Sequence, residues 1–345
     1  MPEAFIEHQI GEKPMSINNY LEIQLKRVNE HMDQMMYGKS KMINQMVRWV
    51  LDVKGKQLRP RFMLASAYSL NPDKDITEFA AMLELIHMAT LIHDDVIDNS
   101  EKRRNRLSVQ KKFGIKSAVY LGDYMMFSMI YNFNNQQELM REYSKTILER
   151  FEELCYGELN QNEKLYDLSI TKEEHLANIQ GKTAALFEVA TMAGAIMCES
   201  EDQVINEYAK IGRNFGMLFQ IHDDLLDILS DEKIIGKPTF QDFYNGVYTL
   251  PIILAKEEKK DYKIIQKLAN DVKKDGMTKE YRTALLSKLI ETNSFARACD
   301  IAKGYYDEGM EAISVMPNEE VREYFRENYN QLFEKICEMC EKKSN

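Results

Sequence analysis

The sequence predicts an all-α protein, and three observations support this fold class. Fifteen glycines and seven prolines make up only 22 of the 345 residues, about half of the usual share of these helix breakers. Residues with high helix propensity, such as leucine, methionine, glutamate and lysine, are abundant. Apolar residues also recur with a helical period along nearly the whole chain.

The periodic segments define a nearly continuous series of helices, with Gly55, Gly246 and Pro317 among the positions that separate them. The expected helices cover residues 16–36, 40–53, 60–70, 76–98, 107–112, 116–133, 138–160, 172–197, 201–229, 248–256, 261–273, 278–290, 294–315 and 318–342. No linker, low-complexity tract or short repeat interrupts the series. We therefore expect a single domain over residues 1–345, with a helical segment at 1–38 as its N-terminal part.

The composition argues against several classes of protein. The formal net charge is −10 and no Lys- or Arg-rich face stands out, so no nucleic-acid partner is expected. No apolar run reaches the roughly 18 residues that a membrane-spanning helix needs. The N-terminal residues lack the basic and then apolar order of a signal peptide. We therefore expect a cytoplasmic protein without a transmembrane segment.

The five cysteines form an odd set in a chain without an export signal. Reduced thiols in a cytosol are the simplest interpretation of this set. Cys337 and Cys340 form a C-x-x-C pair, but the pair lies in an acidic, helical C-terminal segment without partner ligands. We expect no metal or redox role for this pair.

Two segments that are apolar on most sides, 81–95 and 215–229, differ from ordinary amphipathic helices because each carries a cluster of aspartates. Each cluster has the form D-D-x-x-D: Asp94, Asp95 and Asp98 in the first, and Asp223, Asp224 and Asp227 in the second. At about 100° per residue, the three carboxylates of a cluster share one face of a helix. Like charges at this spacing repel one another, so the clusters require an explanation.

Carboxylates close to a hydrophobic core stay ionised only where cations accompany them. Oxygen ligands without His or Cys at suitable spacing favour Mg²⁺ or Mn²⁺, and Mg²⁺ commonly shares its ligands between carboxylates and substrate phosphates. A single cluster of this form is more often a helix cap or a partner of surface lysines. Two clusters on two buried helices favour a metal-dependent site for a phosphate-bearing ligand.

Basic residues that suit phosphate binding lie beside glycines or beside the aspartate clusters. They are Lys56 and Arg59 in GKQLRP, Arg103 and Arg104 in EKRRNR, Lys182 in GKTAAL, and Lys237 in GKP. Each of them alone is more often a surface charge, and their placement is what favours a role. His87 lies seven residues before Asp94, so both side chains are expected on the same side of the helix.

These motifs, in this order and spacing, resemble those of the trans-isoprenyl diphosphate synthases, or polyprenyl synthetases, which extend allylic diphosphates with isopentenyl diphosphate. The resemblance is strongest over residues 54–253. It implies a bundle of long, mostly antiparallel helices around one deep cavity, usually in a homodimer. It also implies a Mg²⁺-dependent, head-to-tail condensation of the two diphosphates with trans geometry.

The resemblance further implies roles for individual residues. Asp94, Asp98 and Asp223 would be the main ligands of three Mg²⁺ ions, with Asp95, Asp224 and Asp227 in support. Arg103, Lys182 and Lys237 would contact the allylic diphosphate, whereas Lys56, Arg59, His87 and Arg104 would bind isopentenyl diphosphate. Thr183 and Gln220 would lie beside the developing allylic cation.

Two positions depart from the family pattern. Asn105 stands where glycine commonly follows the two arginines, and Val247 stands where many members carry a lysine. The second change removes one possible contact to a diphosphate, which would lower the rate or alter substrate choice. The rest of the diphosphate site is complete in sequence, so we expect an active enzyme.

Product length in this family is set by side chains below the first cluster. Ala89 and Thr90 are small, where short-chain enzymes often place aromatic residues, so we expect a product longer than C20. The candidates for a lower floor of the cavity are Leu83, Met126, Phe127 and Tyr131. The alternative within the family is a geranylgeranyl or farnesyl diphosphate synthase.

Alternatives about assembly and class also stay open. Some medium-chain enzymes of the family require a small, dissimilar subunit, so a heterodimer is an alternative to a homodimer. A non-catalytic or regulatory diphosphate-binding subunit is an alternative from another class. A class I terpene cyclase is disfavoured because its second metal motif is normally of the N-S-E type rather than a second D-D-x-x-D.

Overall fold

The chain folds into an all-α structure, which confirms the predicted fold class. The structure, a computed structural model, describes residues 15–38, 40–134, 138–229 and 239–344. Long helices account for most of the described residues, and the only strands among them form a two-stranded hairpin. No helix in these ranges is long and apolar enough to cross a membrane.

The helices follow one another with short connections, as the sequence pattern predicts. The first half contains α1 (Ile17–Met36), α2 (Lys41–Leu51), α3 (Leu58–Leu70), α4 (Thr77–Ile97), β1 (Lys102–Arg103), β2 (Arg106–Leu107), α5 (Val109–Phe113), α6 (Ile115–Asn134) and α7 (Glu138–Glu163). The second half contains α8 (Lys172–Ile179), a π-helical turn (Gln180–Ala184), α9 (Ala185–Met197), α10 (Asp202–Leu229), α11 (Gln241–Tyr244), α12 (Leu250–Ala255), α13 (Lys259–Asp275), α14 (Lys279–Glu291), α15 (Ser294–Ile313) and α16 (Glu319–Ser344).

Several helices begin at a polar side chain that caps the free backbone N–H groups. The Ser40 hydroxyl accepts from the Ile43 N–H at 3.1 Å at the start of α2. Thr171 and Glu174 form a reciprocal capping box at the start of α8. These local signals explain why most observed helix ends lie within a few residues of the predicted ones.

The core is centred on α9, in which every residue is buried. Helices α3 and α10 pack against α9, and α4 packs against α6. Phe62 of α3, Phe187 of α9 and Phe215 of α10 form an aromatic cluster with ring centroids 4.6–5.9 Å apart. One continuous hydrophobic core thus joins the helices that carry both aspartate clusters.

The π-helical turn divides the single helix that the sequence predicts over 172–197. A Cβ on Gly157 of α7 would lie 2.7 Å from the backbone nitrogen of Lys182, and a Cβ on Gly181 would lie 2.5 Å from the Glu153 carbonyl oxygen. On the other side, a Cβ on Gly216 of α10 would lie 2.5 Å from Ala184 Cα. The π-helical turn therefore packs between α7 and α10, and its backbone lies in direct contact with the backbone of both helices.

The hairpin between α4 and α5 was not predicted either. Arg104 and Asn105 form its two-residue turn, and both have positive φ angles, of 50° and 63°. Two consecutive positive φ angles are what a tight hairpin turn requires, and asparagine tolerates this conformation well. Asn105 therefore supplies the backbone conformation that glycine would supply at the same position.

Candidate active site

The first aspartate cluster lies at the C-terminal end of α4. Asp95 is buried, and its Oδ1 accepts from Nε and Nη2 of Arg103 at 3.0 and 2.6 Å. Asp94 is partly buried, whereas Asp98 is exposed at the end of the helix. Burial, together with the nearby Glu158 carboxylate, raises the pKa of Asp94 to about 6. Asp95 is thus occupied by Arg103, while Asp94 and Asp98 remain accessible to a ligand.

The second cluster, on α10, divides in a similar way. Asp224 is buried and accepts from His175 Nε2 and from Gln220 Nε2, both at 3.0 Å. Asp227 accepts from the backbone N–H groups of Gln241 and Asp242 at 3.0 and 3.2 Å. The Asp223 side chain, by contrast, is exposed. Two of the three carboxylates therefore organise the surrounding structure.

The donor set fits the metal ions that the sequence predicts. Asp94, which is partly buried, and Asp98 and Asp223, which are exposed, offer hard oxygen ligands of the kind that Mg²⁺ prefers. Within the described ranges, no group of three or more His, Cys, Asp or Glu side chains is close enough to hold a metal ion by itself. Metal binding at these residues consequently needs further oxygen ligands, such as those of a diphosphate.

Lys182, in the π-helical turn, lies between the two clusters. Its Nζ donates to Glu158 Oε2 of α7 at 3.1 Å. Burial alone would lower the pKa of Lys182, but Glu158, Asp94 and Asp98 raise it above its usual value. Lys182 also interacts electrostatically with Asp242, beyond the second cluster. The Lys182 ammonium group therefore places a positive charge between the carboxylates of the first cluster and Asp242.

A chain of hydrogen bonds joins the π-helical turn to the second cluster. Thr183 Oγ1 donates to Gln220 Oε1 at 2.6 Å, and the Gln220 amide donates in turn to Asp224. His175 of α8 completes the chain from the other side of Asp224. The structure thus brings together Thr183 and Gln220, which the sequence analysis assigned to one function.

The basic residues predicted to bind a second diphosphate converge around the start of α3. Arg59 Nη1 donates to His87 Nε2 at 3.0 Å, and the guanidinium stacks over the Phe187 ring at 4.4 Å. Burial, with the charges of Arg59 and Arg104, lowers the pKa of His87 well below its usual range, so the imidazole is neutral. Arg59 Nε is buried and has no hydrogen-bond partner in the part of the chain that the structure describes. Such a guanidinium is suited to receive an anion.

Arg103 and Arg104 are adjacent in sequence but face different groups. Arg103 holds Asp95, whereas Arg104 Nη1 donates to the Val53 carbonyl at 2.7 Å. A Cβ on Gly55 would lie 2.4 Å from Arg104 Nη2, so glycine leaves room for the arginine in its observed position over this loop. Lys56, exposed in the same loop, adds a further positive charge. The hairpin turn thus directs one arginine to the acidic cluster and the other to the basic loop.

The residues predicted to control chain length differ in their surroundings. Ala89 is fully buried, whereas Thr90 is partly exposed and donates to the His87 carbonyl at 2.8 Å. Phe127 and Tyr131, two proposed floor residues, are 69% and 70% exposed on the outer face of α6. They do not line the interior of the protein, because the buried face of α6 lies on the opposite side of the helix. Leu83 and Met126 remain candidates, since Leu83 is buried and Met126 packs against the core.

Three polar residues of the site were missed in the sequence: Glu158, His175 and Asp242. Asp242 and His175 line a cavity of about 450 Å³ with Lys182, Gln220 and Val247. Burial and the charges of Asp227 and Asp224 raise the pKa of Asp242 to about 8. Each missed residue stands outside a recognisable motif, although Asp242 follows closely on the second cluster. Lys237, predicted to contact a diphosphate, lies outside the described residues.

Two acidic clusters around a lysine, beside a separate basic site, define a class of all-α enzymes that act on diphosphate esters. The sequence profile of the polyprenyl synthetase family matches residues 40–285. The chain belongs to this family of trans-isoprenyl diphosphate synthases and is therefore a prenyltransferase.

Individual relatives agree with this assignment. The chain is 28% identical to heptaprenyl diphosphate synthase component 2 of Geobacillus stearothermophilus, over 91% of this chain and 97% of the relative. It is 31% identical to a geranylgeranyl diphosphate synthase of Saccharolobus solfataricus, over 76% and 80% of the two chains. The crystal structure of heptaprenyl diphosphate synthase from Staphylococcus aureus superposes with a TM-score of 0.82 at 28% identity, covering 91% of this chain and 98% of that one.

Proposed function

We propose that the chain condenses isopentenyl diphosphate with an allylic diphosphate, head to tail and with trans geometry, to give a polyprenyl diphosphate longer than C20. The observation that supports this most directly is the position of Lys182 between two aspartate clusters, with Arg59 and His87 forming a separate basic site. One diphosphate site has two aspartate clusters for metal ions, whereas the other has several basic residues and a single buried carboxyl group, that of Glu84, beside Arg59 and Arg104. Two different diphosphates can therefore be held at once.

The allylic diphosphate would bind between the two clusters. Asp94, Asp98 and Asp223 would hold divalent metal ions there, which we propose to be three Mg²⁺ ions, with Mn²⁺ as an alternative. Bound Mg²⁺ would offset the negative charge that accumulates on the departing diphosphate. Lys182, Arg103 and Lys237 would contribute further positive charge to the same group.

The residues of the chain would then act by binding and positioning. Thr183 Oγ1 and the Gln220 carbonyl oxygen, 2.6 Å apart, would direct dipoles towards the developing allylic cation. Lys56, Arg59, His87 and Arg104 would hold isopentenyl diphosphate so that its double bond meets the cation. The proton lost at the end would pass to the released diphosphate, so no side-chain base is required. The double bond of isopentenyl diphosphate would be the nucleophile, so no nucleophilic side chain is required either.

The proposed product length rests on α4. Thr90 is small and partly exposed four residues before Asp94, so no bulky side chain limits the cavity at that level. The heptaprenyl synthases among the relatives fit a product of this kind. The relative named geranylgeranyl diphosphate synthase supports the alternative of a C20 product. Measured product length decides between the two.

We further propose that the enzyme is a homodimer in the cytoplasm. Large apolar side chains are exposed along one face of α6, which a second copy would cover: Tyr120, Phe127, Ile130 and Tyr131. The relatives named component 2 support the alternative that a different subunit covers this face. The five cysteines, none of them in a disulfide, fit a reducing compartment.

The test is incorporation of labelled isopentenyl diphosphate with farnesyl diphosphate as primer and Mg²⁺ as metal, followed by sizing of the dephosphorylated products. We expect long polyprenols from the unaltered chain and a loss of at least about 1,000-fold in kcat for Asp94→Ala and Asp223→Asn. The matched control is Asp202→Asn at the start of the same helix α10, outside the site, which we expect to leave activity unchanged.

A binding experiment separates an inactive subunit from a failed assay. A bisphosphonate should raise the melting temperature of the chain only when Mg²⁺ is present, and Asp223→Asn should abolish the shift. A Mg²⁺-dependent shift without any incorporation would contradict catalysis by the chain alone and favour a regulatory or heteromeric subunit. If the protein shows no melting-temperature shift and no incorporation, the proposed site is contradicted.

A further inference from the structure

Three cysteines from two helices, none of them among the residues assigned to the proposed active site, lie close together. Cys299 lies on α15, and Cys337 and Cys340 lie on α16. The Sγ atoms of Cys299 and Cys337 are 3.4 Å apart, although 38 residues separate them in sequence. Cys340 is buried and also forms a hydrogen bond with Cys299. The C-x-x-C pair, for which the sequence predicts no role, therefore has a third cysteine beside it.

The approach of Cys299 to Cys337 follows from the way in which the two helices pack. Tyr306 of α15 stacks on Phe333 of α16 with ring centroids 4.5 Å apart. The Tyr306 hydroxyl also donates to Asn330 Oδ1 at 2.7 Å. These contacts lie about one helical turn from Cys337 along α16 and fix the register of the two helices. The neighbouring sulfurs are thus held together by packing rather than by a loose surface loop.

We propose that Cys299 and Cys337 form a reversible disulfide that joins α15 to α16 when the protein meets a small-molecule disulfide. One cysteine thiolate attacks the small disulfide, which releases one small thiol and leaves a mixed disulfide on the protein. The second cysteine then attacks the protein sulfur of the mixed disulfide and displaces the second small thiol. The two cysteine protons end on the two small thiols, and the small disulfide is the oxidant that is reduced.

The surroundings of the thiols make this a slow modification rather than a rapid sensor. Burial raises the pKa of Cys337 to about 12, and the hydrogen bond between Cys299 and Cys340, followed by burial, raises the pKa of Cys299. Both groups are therefore protonated at neutral pH, and thiolates are the reactive species. Both are nevertheless only partly buried, so a small reagent can reach them. Cys155, which is exposed on α7, should react with thiol reagents before either of them.

The disulfide would restrain α16, the helix that packs against α10, which carries the second aspartate cluster. The Tyr329 hydroxyl of α16 donates to the Ile211 carbonyl of α10, so α16 is connected directly to the helix that carries Asp223. Closing a loop of 38 residues constrains the unfolded chain. For a chain of this size we expect the melting temperature to rise by about 5 °C.

The experiment uses the full chain with Cys155→Ser, so that the exposed thiol forms no mixed disulfides. The protein is incubated at neutral pH with oxidised or reduced glutathione, and its mass, its cross-linked peptides and its melting temperature are measured. With oxidised glutathione we expect the loss of two hydrogen atoms, a peptide joining Cys299 to Cys337, and the rise in melting temperature. Reduced glutathione should reverse all three changes.

Variants within the triad identify the pair. Cys299→Ser and Cys337→Ser should each remove the cross-link and the rise in melting temperature, whereas Cys340→Ser, the matched control, should retain both. A bridge from Cys340 to either of the other cysteines would overturn the proposed pair. Persistence of free thiols at Cys299 and Cys337 through prolonged treatment with oxidised glutathione would overturn the proposal itself.

Discussion

His175 Nε2 donates a hydrogen bond to Asp224 Oδ2 over 3.0 Å, and both residues are buried. A buried carboxylate needs hydrogen-bond donors to offset its loss of hydration, and the bond from His175 also fixes the orientation of Asp224. We expect His175→Ala to lower kcat about 10- to 100-fold. This is the usual effect of removing a residue whose hydrogen bond orients a side chain at a metal site.

The matched control for this prediction is His175→Gln, which keeps a side-chain N–H donor. Its kcat should lie between those of the unaltered chain and His175→Ala. Steady-state kinetics at several Mg²⁺ concentrations provide the measurement. Equal activity in all three proteins would show that the Asp224 contact contributes nothing to catalysis.

Thr90 and Ala89 are adjacent but should respond differently to a large side chain. Thr90 is partly exposed near the site, so Thr90→Phe should fill open space and shorten the products to C20 or less. Ala89 is fully buried, so Ala89→Phe should overpack the core and destabilise the fold by roughly 1–3 kcal/mol or more. Product chromatography and urea unfolding of both variants distinguish the two effects. Long products from Thr90→Phe would place the limit on chain length elsewhere, for example at Leu83.

Val247 lines the cavity that contains Lys182 and Asp242. A lysine at this position would add a cation to a cavity in which Asp242 already has a raised pKa of about 8. We expect Val247→Lys to raise kcat/KM for the allylic diphosphate about three- to tenfold, the net effect of one additional hydrogen bond of ordinary strength. Val247→Met, of similar length but uncharged, should give no gain. An equal gain from both variants would assign the effect to packing instead of charge.

Asn105 occupies the second position of the hairpin turn with a φ of 63°. We expect Asn105→Gly to leave the urea midpoint nearly unchanged and kcat within about twofold of the unaltered chain, because glycine adopts the same conformation. Asn105→Val should cost about 1–2 kcal/mol, because a β-branched residue disfavours the left-handed region. It should also weaken the contact between Arg103 and Asp95. Urea midpoints test the turn, and identical midpoints for the two variants would contradict the conformational argument.

Features that depend on neighbouring residues could be predicted from the sequence. Helical periods, capping residues and the two D-D-x-x-D clusters are all local, and each was found with its residues. The hairpin turn could also have been found, because Arg104-Asn105 carries the turn signal of asparagine. The two arginines beside this asparagine carry a charge signal that is stronger than the turn signal.

Features that depend on distant contacts could not be predicted. His175 meets Asp224 across 49 residues, and the sequence around His175 contains no motif. The exposure of Phe127 and Tyr131 is also decided by which face of α6 packs on α4, and an apolar pattern on most sides of a helix leaves that face undefined. The roles assigned to Lys56, Arg104 and Lys237 remain predictions.

The backbone contact between Gly157 and the π-helical turn bears on how such enzymes diversify. A side chain at Gly157 would collide with the Lys182 backbone, and one at Gly181 would collide with the Glu153 carbonyl, so this part of the molecule admits no gradual change. Around Thr90, by contrast, side chains can be enlarged or reduced one carbon at a time. Under the proposed function, the length of the prenyl chain could therefore change in small steps, while the proposed centre of substrate ionisation would stay a fixed unit.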